Sequence, residues 1–159
     1  MPTAITPIAT YTTVGAVNTV VFSSIPGTYR DLMIVVRGTL TTANSVIGIR
    51  SGTTNIWRQS VSSQGGGSSP LPSTAVEATV YGQLVVSPTI FAFEAHIYDY
   101  AQTNKFKPIT IYDAGSTSQA TVTVGFWEST AAIAQVTVIS KGGSTIAAGT
   151  KIDVYGVSS

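Results

Sequence analysis

Apolar and polar residues alternate with a period of two along most of the chain, and Gly, Pro, Ser and Asn interrupt the alternation at short intervals. A period of two is the repeat of a strand whose side chains point to opposite faces, whereas a helix needs apolar residues three and four apart. The pattern predicts strands over about residues 4–12, 17–23, 31–39, 45–50, 55–61, 75–86 (broken), 89–100, 106–113, 120–128, 133–140 and 150–157, and no helix. Turn signals separate them at Ile25-Pro26-Gly27, Ser51-Gly52, Asp113-Ala114-Gly115-Ser116, Lys141-Gly142-Gly143-Ser144 and Ala148-Gly149. Turns recurring every 8–12 residues or so are what a sandwich or jelly roll produces. The expected architecture is all-β: one antiparallel domain over residues 1–159, a β-sandwich or a jelly roll.

Two strands predict their own faces. In 90–100, Phe91, Phe93, Ala95 and Ile97 fall on one face, read as core. Glu94, His96, Tyr98 and Tyr100 fall on the other, facing solvent, a partner or a ligand. In 120–128, Val122, Val124 and Phe126 are read as core, and Thr121, Thr123 and Trp127 as the outward set. The run Leu32-Met33-Ile34-Val35-Val36 is apolar on both faces, which suits a central strand or one covered by another subunit. Residues 62–73, rich in Ser, Gly and Pro, are expected as a surface loop, and residues 1–8 as a flexible or partner-contacting arm.

Composition narrows the function. Charged residues make up only 9% of the chain, against roughly 25% in an ordinary domain. Its 24 Thr and 18 Ser replace ions with hydroxyls. The net charge is +1 with no basic run, so nucleic acid is not an expected partner. No stretch approaches the 18 or so consecutive apolar residues of a spanning helix, so no membrane is expected either. The first residues lack the basic and apolar regions of a signal peptide, and the expected place of synthesis and assembly is a host cytoplasm.

Raw materials for catalysis are scarce: one histidine (His96), no cysteine and seven carboxylates. Glu94 and His96 share a strand face, but no Gly-x-Ser-x-Gly elbow accompanies them, and two ligands do not make a metal site. No Asp-rich calcium loop occurs, and Gly65-Gly66-Gly67 runs into Ser-Ser-Pro without the Lys of a phosphate loop. The expectation is a protein that is not an enzyme and takes no cofactor or metal. Aromatic residues remain. Trp57, Trp127, Tyr29, Tyr98, Tyr100 and Tyr112 could form a stacking platform. Of these, Trp57, Trp127, Tyr98 and Tyr100, with Glu94 and His96, are the candidate contacts for a protein interface or for a glycan, and the interface is favoured.

Three strings carry a family resemblance. Phe22-Ser23-Ser24-Ile25-Pro26-Gly27-Thr28-Tyr29-Arg30-Asp31-Leu32 resembles an S-I-P-x-x-Y-x-D-L turn of virion structural proteins of tailed phages, especially those of cyanobacterial and marine hosts. Gly125-Phe126-Trp127-Glu128-Ser129-Thr130-Ala131-Ala132-Ile133 is similar to their G-x-W-x-x-T-A-A-I step, and the terminal strand ending in Tyr155-Gly156 is similar to theirs. The stretch Ser51–Trp57 departs from the group, many of whose members carry Asn-Gly and a Tyr there. The resemblance implies a jelly-roll module, homotrimeric, on the outer surface of the virion. Its implied role is capsid decoration (cement) protein, bound to and stabilising the major capsid protein. The alternative is a tail-fibre or receptor-binding module, assembled with other tail proteins and recognising host-surface glycan.

Overall fold

A computed structural model describes residues 4–42, 45–51, 90–114 and 121–158 in full, and the backbone of residues 56–64, 67–71, 76–77, 80–81, 115–116 and 119–120. Among the described residues there is no helix. The strands are β1 (Ile5–Thr12), β2 (Thr19–Phe22), β3 (Asp31–Gly38), β4 (Val46–Arg50), β5 (Ile56–Gln64), β6 (Gly67–Leu71), β7 (Val76–Glu77), β8 (Val80–Tyr81), β9 (Phe91–Ile97), β10 (Lys107–Ser116), β11 (Gln119–Trp127), β12 (Val136–Lys141) and β13 (Lys151–Val157).

They form two antiparallel sheets. One runs β1-β13-β3-β9-β10-β11-β5-β6, with β7 also on β5; the other runs β2-β12-β4-β8. The quartets β1-β13-β3-β9 and β2-β12-β4-β8 are the two halves of a jelly roll. The chain changes sheet at every step from β1 to β5, then at β7–β8, β8–β9, β11–β12 and β12–β13. The strands β5–β7 and β10–β11 are insertions that widen the first sheet beyond its β9 edge.

A single cluster of buried apolar side chains lies between the sheets. Leu32, Ile34, Val36, Ile152 and Val154 come from the large sheet, and Val20, Phe22, Ile47, Ile49, Val136 and Val138 from the small one. Phe91, Phe93, Ala95 and Ile97 are buried as the alternation of their strand predicts. Burial of each large aliphatic or aromatic side chain contributes roughly 1.5–3 kcal/mol before entropy is counted. Met33 and Val35, on the opposite face of β3, are only half-buried, so the apolar run does mark a central strand but its second face is open.

Two expectations change. Residues 5–8, expected in a flexible arm, belong to β1 and pair with β13 from Ile5↔Val157 onward. Ile5, Thr6 and Pro7 are paired with Val157, Gly156 and Tyr155, and Pro7 is tolerated because β1 is the sheet edge, where a missing N–H costs no ladder bond. Residues 1–3 of that arm lie outside the described residues. Of the segment 62–73, expected as a loop, residues 62–64 and 67–71 carry paired strand backbone in the β5–β6 hairpin. Ser and Gly there satisfy main-chain hydrogen bonds without supplying the apolar alternation by which a strand is recognised. Residues 65–66 and 72–73 lie outside the described residues.

Candidate functional site

Cross-strand pairing assigns the described side chains of β9, β10 and β11 to a face. Ile109 and Ile111 of β10 point inward, opposite Ile97 and Ala95 of β9. On β11 they pair with Gly125 and Thr123, so Thr121, Thr123 and Trp127 form the inner set and Val122, Val124 and Phe126 the outer one. This reverses the faces expected for 120–128. Trp127 is 4% exposed and belongs to the core, whereas Phe126 is 39% exposed. The β11 alternation is apolar against β-branched, so either face would suit the interior. The partner strand β10 decides, through Ile109 and Ile111.

Tyr100 also moves inside. Strand β9 stops at Ile97, and Asp99 takes φ 52° in the following turn, its N–H donating to Asp31 Oδ1 at 2.9 Å. The alternation therefore does not carry to Tyr100, which is fully buried and donates its hydroxyl to the Pro26 carbonyl. Burial pushes its pKa up. Glu94 and His96 remain half-exposed on the outer face, and the His96 ring meets Tyr98 edge-on at 5.6 Å. The backbone of Trp57 pairs with Phe126, while its side chain lies outside the described residues. Of the six candidates, Glu94, His96 and Tyr98 are thus brought together, and Tyr100 and Trp127 are taken out.

The structure puts other residues in their place. One cross-strand row of the outer face reads Asp153–Val35–Glu94–Tyr112–Val122, and the next Tyr155–Met33–His96–Thr110–Val124. Tyr112 is 50% exposed, and Phe106, 47% exposed, stacks parallel on Phe126 with ring centroids 6.0 Å apart. Ala92 and Ala114 face each other across β9 and β10 and leave a hollow of about 560 Å³, mostly carbon-lined, rimmed by Val35, Arg37, Glu94 and Tyr112. The sequence signal for this face was present in Lys107-Pro108-Ile109-Thr110-Ile111-Tyr112, where the isoleucines fix which side is inward.

Glu94 stands within this face, and the fold also buries charged side chains, Asp153 and Lys107 among them. Asp153, 1% exposed, accepts hydrogen bonds from Thr10 Oγ1 (2.7 Å) and Arg37 (3.0 Å) and an ion pair from Lys151 (3.3 Å). Burial alone would raise its pKa, but the bonds from Thr10, Lys151 and Arg37 together outweigh it and the net shift is downward. Lys107, fully buried, donates from Nζ to the carbonyls of Ser129 (3.0 Å) and Ala131 (2.6 Å), and burial lowers its pKa. It clasps the segment after β11 and touches no open surface. Among the described residues no three His, Cys, Asp or Glu side chains gather as a metal site.

One end of the sandwich is knitted by hydroxyls. Thr13 Oγ1 donates to the Ala147 carbonyl (2.6 Å) and accepts from Thr150 N–H (3.0 Å). Ser144 Oγ accepts from Thr42 N–H (3.0 Å), and Ser140 Oγ donates to the Ser144 carbonyl (2.8 Å). At its tip Val14 is 95% exposed, beside Gly15 and Ala16. No family model, no curated protein and no solved structure matches this chain.

Proposed function

We propose that this chain is a structural protein of a phage particle, a capsid decoration module that works by assembly and not by catalysis. The observation that carries the reading is the outer face of the large sheet, where Tyr112, Val122, Val124, Phe126 and Phe106 stand in water as one patch. Single exposed apolar residues are ordinary, but a contiguous patch marks a surface that another molecule covers. The jelly-roll topology and the resemblance of the Phe22–Leu32, Gly125–Ile133 and Tyr155-Gly156 strings support the same reading.

The end carrying Val14 is suited to seat on the shell. Loops 13–18, 39–42 and 142–150 present small residues and hydroxyls, which approach a flat protein surface closely and carry little charge to desolvate. Purified heads stripped of tails are expected to retain the protein, and Val14→Asp is expected to weaken its rebinding to heads depleted of it. Recovery only with tails would sink the reading.

The tail-fibre reading keeps one support. Tyr112 beside Glu94 and Arg37 offers a ring face flanked by hydrogen-bonding groups, as a sugar requires. Glycan-array binding lost in Tyr112→Ala would favour it over the capsid.

A further inference from the structure

The two sheets end beside one another in β1 and β2, and the two edges are not alike. Along β2, Ser140 N–H donates to the Asn18 carbonyl at 3.0 Å, and the register sets Val20 opposite Val138 and Phe22 opposite Val136. In an antiparallel ladder this phase spends the N–H and C=O groups of Val20 and Phe22 on β12 and turns those of Thr19 and Val21 away from it. Among the described residues no strand pairs with that rim, and Thr19 and Val21 are both exposed. The rim outlasts the four-residue strand, since Ile25 N–H still donates to the Ala134 carbonyl at 3.0 Å. A bare edge is a template for another strand unless something blunts it, such as charge, proline or a bulge. β1 is blunted twice, by Pro7 and by the register shift between Pro7 and Ala9. Thr19-Val20-Val21-Phe22 carries none of these devices. Between the two edges lies a slot of about 430 Å³, lined by Ala9 and Tyr11 of β1 and Val20 and Phe22 of β2, and its lining residues carry no charge.

We propose that the β2 edge takes an extended segment of another protein as an added strand, antiparallel to β2, with an apolar residue of that segment turned toward the slot. The chemistry of the rim selects this occupant. Thr19 and Val21 each offer an N–H and a C=O, and the two residues stand about 6.8 Å apart, a repeat that another extended backbone matches along its length. A sugar or a lipid has no such repeat. The direction follows the fold, in which every strand pairing is antiparallel. An uncharged segment is required, because a charge entering the slot would lose its water and find no partner there. A second copy of this chain fits worse. Its own β2, laid against the rim, would bring Val20 and Phe22, and these are already spent on its own core at 8% exposure each. A segment with no core of its own brings a free side chain instead. The inference goes beyond the capsid reading and does not rest on it.

The probe is a blocked peptide of about nine residues, alternating Thr and Val, titrated into the full chain while amide hydrogen exchange is followed. In the free protein the Thr19 and Val21 amides are expected to exchange freely, and those of Val20 and Phe22 slowly. Saturating peptide is expected to slow Thr19 and Val21 by about 10-fold or more. With its Val side chains toward the slot, the peptide's Thr residues lie opposite Thr19 and Val21 and exchange hydrogen bonds with them. N-methylation of the peptide's Thr residues is therefore expected to abolish binding, and N-methylation of its Val residues to spare it. Val21→Pro removes one rim N–H and leaves the β12 ladder intact, so it is expected to weaken binding about 5-fold or more with the melting transition in place. Val21→Thr keeps the N–H and is expected to bind as the parent does. No slowing at about 1 mM peptide, equal binding of the two methylated peptides, or self-association of the chain that Val21→Pro abolishes would overturn the proposal.

Discussion

The ring of Tyr29 lies directly on Gly156, so close that a Cβ at residue 156 would overlap its Cγ and both Cδ atoms. Tyr29 sits in the turn before β3 and Gly156 in β13, and the two belong to separate strings of the family resemblance. The turn that carries Tyr29 is itself tied down, since the Tyr100 hydroxyl donates to the Pro26 carbonyl. The glycine of the closing Tyr155-Gly156 is therefore a packing requirement, imposed by a residue more than a hundred positions earlier. Gly156→Ala is expected to destabilise by about 2–3 kcal/mol through overpacking. Tyr29→Ala in the same chain is expected to remove most of that penalty. Denaturant unfolding of the two single variants and the double variant measures the coupling, and strict additivity would disprove the contact.

Neighbouring aromatics on β11 should behave oppositely. Trp127 is in the core and Phe126 on the surface. Trp127→Ala is expected to cost about 3–5 kcal/mol, and Phe126→Ala less than about 1 kcal/mol in dilute, monomeric solution. Equal losses in urea titrations would return the strand to the opposite parity.

Lys107 makes stability depend on alkaline pH. Its pKa is lowered in the fold by burial, so between that lowered value and the ordinary 10.5 the unfolded chain binds more protons than the folded one. Stability contributed by this residue therefore rises with pH across that window. Tyr100, whose pKa is raised, acts in the opposite sense above its ordinary 10.0, which is why the comparison must be differential. The stability of the parent chain minus that of Lys107→Met is expected to rise between neutral pH and pH 10. A flat difference would mean that burial does not depress the pKa of this ammonium in the fold.

Asp153 makes stability depend on acid. Its folded pKa lies below the ordinary 3.8, so its contribution is present above 3.8 and is lost as pH falls through the folded value. Asp153→Asn is expected to cost about 1–2 kcal/mol at pH 7, where Arg37 and Lys151 lose a partner but remain exposed to water. The loss should shrink as pH falls through the folded value and the parent carboxylate takes up its proton. Thermal melts across pH 2–7 check both limits.

Much of the strand pattern was readable because it is local. Patterns of neighbouring residues were enough to place β3, β9 and β13 and to name the inward set of β9, and the turns at Pro26-Gly27, Gly142-Gly143 and Ala148-Gly149 fell between strands. The turn expected at Asp113-Ala114-Gly115-Ser116 did not: β10 runs through it to Ser116, with the register shift between Ala114 and Ser116 absorbing Gly115. The β5–β6 pairing was not readable, because Ser and Gly fill a ladder without leaving an apolar signature. The candidate site was legible in part. Glu94, His96 and Tyr98 were placed on the outer face by parity, but parity ends where a strand ends, and Tyr100 lies beyond the turn at Asp99.

By itself the sequence determined that the protein is all-β, that β9 buries its phenylalanines, and that few side chains suited to catalysis are available. Only the tertiary structure decided which side of β11 is inside, and hence that Trp127 is core and Phe126 surface. It also decided that Ala92 and Ala114 meet to form a hollow, and that Gly156 must be bare beneath Tyr29. The physical reason is the same in each case. A strand with acceptable residues on both faces has no preferred side until a partner strand fixes its register, and a hollow or a close approach exists only between residues distant in the chain.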